Sequence, residues 1–126
     1  MTITFTTDEA LEHFNTALCN GLDYILMHGL TLDYEDAHYK QAKASLRPGT
    51  TCFEEVLIQI LKDGHPLVLH DEEGGEDDSK VYIRDVVERM SLVPLRRMMN
   101  AINEDDDAET ADVIIQTIFY KDIIFG

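Results

Sequence analysis

A chain of 126 residues has the size of one domain, with room for a core of its own but not for two ordinary domains and a linker. Its 44% hydrophobic and 28% charged residues are the usage of a folded globular protein and exclude a disordered one. Acidic side chains outnumber basic ones 25 to 10, and the net charge of -15 disfavours direct contact with nucleic acid or anionic membranes while attracting basic surfaces.

In chain order, Ile3-Thr4-Phe5 alternates as a short strand, and Thr6 with Glu9 has the spacing of a capping box. Leu11, Phe14, Leu18, Leu22 and Ile25 then recur at helical spacing, so one amphipathic helix is expected to about His28, with Gly29 ending it. Gly21 within it costs roughly 1 kcal/mol relative to alanine. A weaker helix is expected from Tyr34 to Leu46, closed by the turn Arg47-Pro48-Gly49.

Thr51 and Glu54 repeat the capping-box spacing, and Phe53, Val56, Leu57, Ile60 and Leu61 form an apolar stripe. Asp63-Gly64 ends that helix. The segment Pro66 to His70, an acidic glycine-containing turn, and Lys80 to Ile83 form a β-hairpin with a loop too long for a two-residue turn. From about Asp85 the pattern is helical through Val86, Val87 and Met90, is kinked or divided at Pro94, and resumes at Leu95, Met98, Met99 and Ile102, as one bent helix or two short ones. Asn103 to Asp107 supply turn and capping residues for a last helix, Ala108 to Tyr120, that buries Ala111, Ile115 and Ile118. The expectation is an α+β fold in one domain, residues 1–126, with four to five helices packed on the hairpin. The N-terminal strand would extend that hairpin into a three-stranded antiparallel sheet.

The acids are clustered. The first 39 residues hold no Lys or Arg. Asp71, Glu72, Glu73, Glu76, Asp77 and Asp78 occupy the hairpin tip, and Glu104, Asp105, Asp106 and Asp107 precede the last helix, with Glu109 and Asp112 just inside it. Sharing a face, these carboxylates would imitate a phosphate backbone and dock in a basic groove; scattered, they are solvated loops and a helix cap. These ten, from Asp71 to Asp78 and Glu104 to Asp107, are the candidate partner-binding residues.

No residue set carries a catalytic assignment: a P-loop, a dinucleotide fingerprint and a nucleophile elbow are all missing from the sequence. No cofactor is implied. For a divalent metal, Asp105-x-Asp107-x-Glu109 alternates like the start of an EF-hand loop but lacks its sixth-position glycine and terminal glutamate. The histidines 13, 28, 38, 65 and 70 include no helical i,i+4 pair, and His65 and His70 are expected at the surface. Cys19 and Cys52 fall in helices and are expected reduced, Cys52 as a buried structural thiol, and with no export signal or membrane span the expected compartment is the cytoplasm. Arg84, Arg89, Arg96 and Arg97 are expected to pair with the acids, and Met90, Met98 and Met99 to supply pliable apolar surface, as core or as a partner face.

One resemblance stands out at the end of the chain. Asp107-Ala108-Glu109-Thr110-Ala111-Asp112-Val113-Ile114-Ile115-Gln116, followed by an apolar stretch to Ile123-Ile124-Phe125-Gly126, resembles the ending of a family of small uncharacterised proteins carried by bacteriophages and other mobile elements. The likeness reaches weakly to Ala17 to Tyr24 and to Leu61-Lys62-Asp63-Gly64. Lys121 stands where that family usually has glycine, and Ile25 where it usually has tryptophan. The resemblance implies a phage or mobile-element setting, in which a small acidic protein would inhibit a host defence protein that binds nucleic acid. The alternatives are a structural or regulatory homo-oligomer, using an apolar helix face or the hairpin edge, and a divalent-metal-binding protein.

Overall fold

The computed structural model describes residues 4–46, 49, 52–102 and 108–122. Its first helix, α1 (Thr7–Ile25), starts at the expected capping box: the Thr6 N–H donates to Glu9 Oε1 at 2.9 Å and the Glu9 N–H to Thr6 Oγ1 at 3.2 Å. A 3₁₀ turn, Leu26–His28, follows, and Gly29 at φ 79° takes the left-handed conformation that ends it. The chain then forms β1 (Leu30–Asp33), α2 (Asp36–Ser45) and α3 (Phe53–Lys62). The hairpin β2 (Leu67–Asp71) and β3 (Ser79–Val81) leads into α4 (Ile83–Met90), α5 (Leu95–Ile102) and α6 (Ala108–Tyr120).

This is an α+β fold with six α-helices among the described residues and a three-stranded antiparallel sheet in the order β1-β2-β3. The third strand is Leu30–Asp33 and not the N-terminal segment: Thr4 and Phe5 are irregular, and Ile3 lies outside the described residues. Thr6 takes over as helix cap too soon for a strand to form, and Phe5 instead sets its ring edge-on against His13, 5.4 Å between centroids. Leu30 pairs with Asp71 and Leu32 with Leu69, while Leu67 pairs with Val81. Alternation with a period of two turns Leu67, Leu69 and Val81 to the core, all fully buried, and carries Leu30 there from β1.

α6 forms the centre of the core. All ten residues from Thr110 to Phe119 are buried, so the helix faces protein on every side and is not the two-faced element that Ala111, Ile115 and Ile118 alone suggest. Its polar members are accommodated locally: Thr117 Oγ1 donates to the Val113 carbonyl at 2.7 Å, and Gln116 Nε2 donates to Asp112 Oδ1 at 3.0 Å. The other Asp112 oxygen meets His28 Nε2 at 3.2 Å, joining the end of α1 to the start of α6. α1 runs antiparallel to α6, with Phe14 beside Phe119 and Gly21 beside Ala111. A Cβ on Gly21 would lie 2.9 Å from Ala111 Cβ and 2.9 Å from Ile115 Cδ1, so the two backbones approach as closely as they do only because position 21 has no side chain.

The C-terminus of α6 is capped by side chains from outside it. Arg89 Nη1 donates to the Ile118 carbonyl at 2.9 Å, and the Ser79 hydroxyl donates to the Phe119 carbonyl. Lys121 then turns the chain at φ 66°, among the described residues the one non-glycine with a left-handed backbone.

α2 and α3 pack through an aromatic cluster: Tyr34 stacks on Tyr39 at 5.0 Å, and Phe53 lies 6.0 Å from both rings. The Thr51 capping expectation falls outside the described residues, and Cys52 holds the N-cap position of α3 without a side-chain hydrogen bond. Both cysteines are free and exposed, and for Cys52, at the N-cap of α3, this corrects the expectation of burial. Burial, then Glu54, Cys52 and Glu55, push the Cys19 thiol above its ordinary range.

Gly21→Ala should destabilise the fold by about 1–3 kcal/mol in urea unfolding, since overpacking outweighs the gain of about 1 kcal/mol in helix propensity. Lys121→Gly should act the other way and raise stability by about 1 kcal/mol, because it relieves a left-handed lysine. Both follow from denaturation midpoints at constant slope.

Candidate functional site

The acidic turn joins β2 to β3 and has a defined internal scaffold. Asp71 ends β2 on its inward side and is only 2% exposed. Its Oδ1 accepts the Glu73 N–H at 3.0 Å and its Oδ2 the Glu76 N–H at 2.9 Å. The Gly74 N–H closes the turn on the Asp71 carbonyl at 3.0 Å, and Gly74 supplies a φ of 75°. One buried carboxylate therefore shapes the loop from within. Asp71 is not a surface acid, and this corrects its place among the ten candidates: alternation along Leu67, Leu69 and Asp71 carries it inward.

The loop also leans on the rest of the molecule. The Glu72 N–H donates to the Gly29 carbonyl at 2.8 Å, and the Glu73 side chain passes so near Gly29 that a Cβ there would be 3.3 Å from its Cγ. Glu72 Oε1 accepts the Thr31 hydroxyl at 2.9 Å. The Tyr120 phenol lies within the field of this loop: burial first, then Asp71, Glu76 and Asp78, push it above its ordinary range.

Glu72 and Asp78 converge on one histidine. His70 Nδ1 lies 2.5 Å from Asp78 Oδ1, and His70 Nε2 lies 3.9 Å from Glu72 Oε2. The Asp78 hydrogen bond raises the His70 pKa from its ordinary 6.5 against a smaller lowering by burial, and the charges of Asp78, Glu72 and Asp33 add to the rise. Glu73 and Asp77 are exposed and Glu76 is half-buried, and among the described residues none of these three carboxylates forms an ion pair with a basic side chain. The hairpin tip thus gathers five of its six acids at the loop surface, while Glu104, Asp105, Asp106 and Asp107 lie outside the described residues.

A second acidic arrangement was not foreseen from the sequence. Asp8, Leu11, Glu12 and Asn15 of α1 and Glu55, Ile58, Gln59 and Lys62 of α3 line a groove of about 430 Å³, with Leu46 at its side. Each helix contributes positions i, i+3, i+4 and i+7, one continuous stripe. Leu11 and Ile58, 4% and 8% exposed, form an apolar floor, and the carboxylates stand at the rim. The Asn15 Oδ1 atom is buried and accepts no hydrogen bond. The sequence signal was the matched spacing of Asp8-Leu11-Glu12-Asn15 and Glu55-Ile58-Gln59-Lys62, but only packing shows that the two stripes face each other.

The remaining titratable groups serve the scaffold. Arg97 pairs with Glu109 at 2.7 Å, joining α5 to α6, and Arg89 lies 3.7 Å from Asp85 while capping α6. Arg84 stands 5.8 Å from the Tyr82 ring centroid. His65 stacks on His38 with centroids 3.7 Å apart and planes 2° from parallel, so their in-plane lone pairs point side by side and not at a common ion. Among the described residues no group of three or more His, Cys, Asp or Glu side chains is arranged to hold a metal, and no helix is long and apolar enough to cross a membrane.

Compared with family models, curated proteins and solved structures, the chain finds no match in any of the three.

The raised His70 pKa has a definite sign. Its contribution to stability is fully present below the unfolded value near 6.5 and is lost as pH rises through the higher folded value. Titration of the His70 ring by NMR should give a midpoint above 6.5, and Asp78→Asn should return it towards that value.

Proposed function

We propose that this chain is a non-enzymatic accessory protein that acts by binding the basic surface of another protein. In its most specific form it stands in for nucleic acid and occupies the groove of a host nucleic-acid-binding defence protein. The observation that carries this reading is the loop over residues 71–78, where Asp71 holds the backbone in one shape and leaves Glu72, Glu73, Asp77 and Asp78 exposed. Carboxylates fixed in a small area offer a basic groove what a phosphate backbone offers, and the excess of 25 acids over 10 bases steers the encounter. The resemblance of the C-terminal stretch to proteins of phages and mobile elements supplies the setting, a host cytoplasm in which such inhibition has a use.

A second reading has an observation of its own. Leu26 and Met27, adjacent in the 3₁₀ turn, are 54% and 78% exposed, and Leu92 and Met99 are 53% and 43% exposed. These apolar side chains favour a homo-oligomer, whose mass would persist at high salt where an electrostatic complex dissolves.

The test is competition. A basic, sequence-independent double-stranded-DNA-binding protein is loaded with labelled DNA, and release is followed by fluorescence anisotropy as this chain is added. Release should be strong at low salt, fall steeply as salt rises, and weaken several-fold in the triple variant Glu73→Gln, Glu76→Gln, Asp77→Asn. No release at low salt overturns the mimicry reading.

A further inference from the structure

We infer that Cys19 and Cys52 are a thiol pair poised to close into an internal disulfide, fastening the second half of α1 to the start of α3 when a small disulfide such as oxidised glutathione is present. Three observations bring the two side chains to one place. The first is the phase of the helices. Glu12 and Asn15 of α1 line the same groove as Glu55 and Gln59 of α3, so these two stripes lie side by side. One helical turn beyond Asn15 the α1 stripe reaches Cys19, and three residues before Glu55 the α3 stripe reaches Cys52.

The second is direction. The Gly29 carbonyl, just past the end of α1, accepts the Glu72 N–H at 2.8 Å beside the finish of β2, whereas α3 leads through the short link 63–66 into the start of β2 at Leu67. Two helices that lie side by side and end at opposite ends of one strand run in opposite senses. The later turns of α1 therefore face the first turn of α3, where Cys52 holds the N-cap. The third is electrostatic: after burial, the groups that raise the Cys19 pKa are Glu54, Cys52 and Glu55, all at the start of α3.

Both thiols are free and exposed, so a small oxidant reaches them. Cys52 is extended, at φ -88° and ψ 163°, and makes no side-chain capping bond, so its thiol can turn towards α1 without breaking the helix. The chemistry that two neighbouring thiols share is thiol–disulfide exchange. The thiolate of one cysteine attacks a sulfur of glutathione disulfide, whose S–S bond breaks and releases one glutathione thiolate. The thiolate of the other cysteine then attacks the protein sulfur of the mixed disulfide and expels the second glutathione. The two protein thiols lose two protons and two electrons in all, and glutathione disulfide takes up both to become two thiols. The new bond encloses residues 20–51, with the end of α1, β1 and α2 inside the loop, and removes freedom from the unfolded chain.

The experiment uses the full chain, reduced and then exposed to glutathione disulfide, with Cys19→Ser and Cys52→Ser as comparisons. Intact-mass spectrometry should show the wild-type monomer lighter by two hydrogen atoms and free of glutathione, and peptide mapping should join Cys19 to Cys52. Each single variant should instead keep one glutathione, because its mixed disulfide has no second thiol to resolve it. Closure should be about tenfold or more faster in the native chain than in concentrated urea, where the thiols meet only by chance. The oxidised chain should melt about 5 °C or more above the reduced one, and dithiothreitol should reverse both changes.

A wild-type chain that stays reduced or keeps glutathione on both cysteines, a disulfide between two copies of the chain, or closure no faster in the folded state than in urea would overturn the assignment. So would an oxidised chain that melts no higher than the reduced one. Competition with DNA and closure of the disulfide are read separately, and either can fail while the other holds.

Discussion

Helices α1 and α6 cross with no side chain between them at Gly21, and the position of most other elements follows from that contact. With a Cβ at position 21 only 2.9 Å from Ala111 Cβ and from Ile115 Cδ1, α1 would have to lift away from α6. That lift would open the interface where Phe14 meets Phe119 and would pull His28 from Asp112. It would also shift Gly29, whose carbonyl holds Glu72, so the acidic loop takes part of its position from a contact at the centre of the core. A fully buried α6 needs a neighbour on every side, and the antiparallel crossing provides the largest of them.

Around that core the protein has to carry a net charge of -15 without opening. Part of the answer is local. Asp8 and Glu9 stand in the first turn of α1, Glu54 and Glu55 in that of α3 and Asp85 in that of α4, where the positive end of the helix dipole offsets each charge. Part is tertiary: Asp71 and Asp112 are buried, but each is met by backbone amides or by His28 and Gln116. Two arginines serve helix joins, Arg89 on α6 carbonyls and Arg97 on Glu109. Among the described residues, carboxylates without a basic partner stand together at the hairpin tip and along the rim of the α1–α3 groove.

Much of the fold was legible because its signals are local. The capping box of Thr6 and Glu9, the stripe of Val56, Leu57, Ile60 and Leu61, and the alternation of β2 each depend on neighbours within one or two turns of chain. The strand Leu30–Asp33 was missed because a four-residue alternation between a glycine turn and a helix carries little weight without its partner Val68–Asp71. The burial of α6 was missed because Thr110, Asp112, Gln116 and Thr117 look like a polar face until their partners are seen. The acidic loop could be located from the sequence but not its division of labour, in which Asp71 turns inward as support. The groove was hidden for another reason: Glu12 and Glu55 are far apart in the chain, and their shared surface depends on packing.

The Asp71 scaffold has a thermodynamic corollary for any complex this surface forms. A loop already tied to its own backbone at Glu73 and Glu76, and to the body at Gly29, has little freedom left to surrender when a partner arrives. Association through it should then resemble two rigid bodies meeting, with a modest heat-capacity change and an on-rate governed by long-range attraction and not by rearrangement of the hairpin.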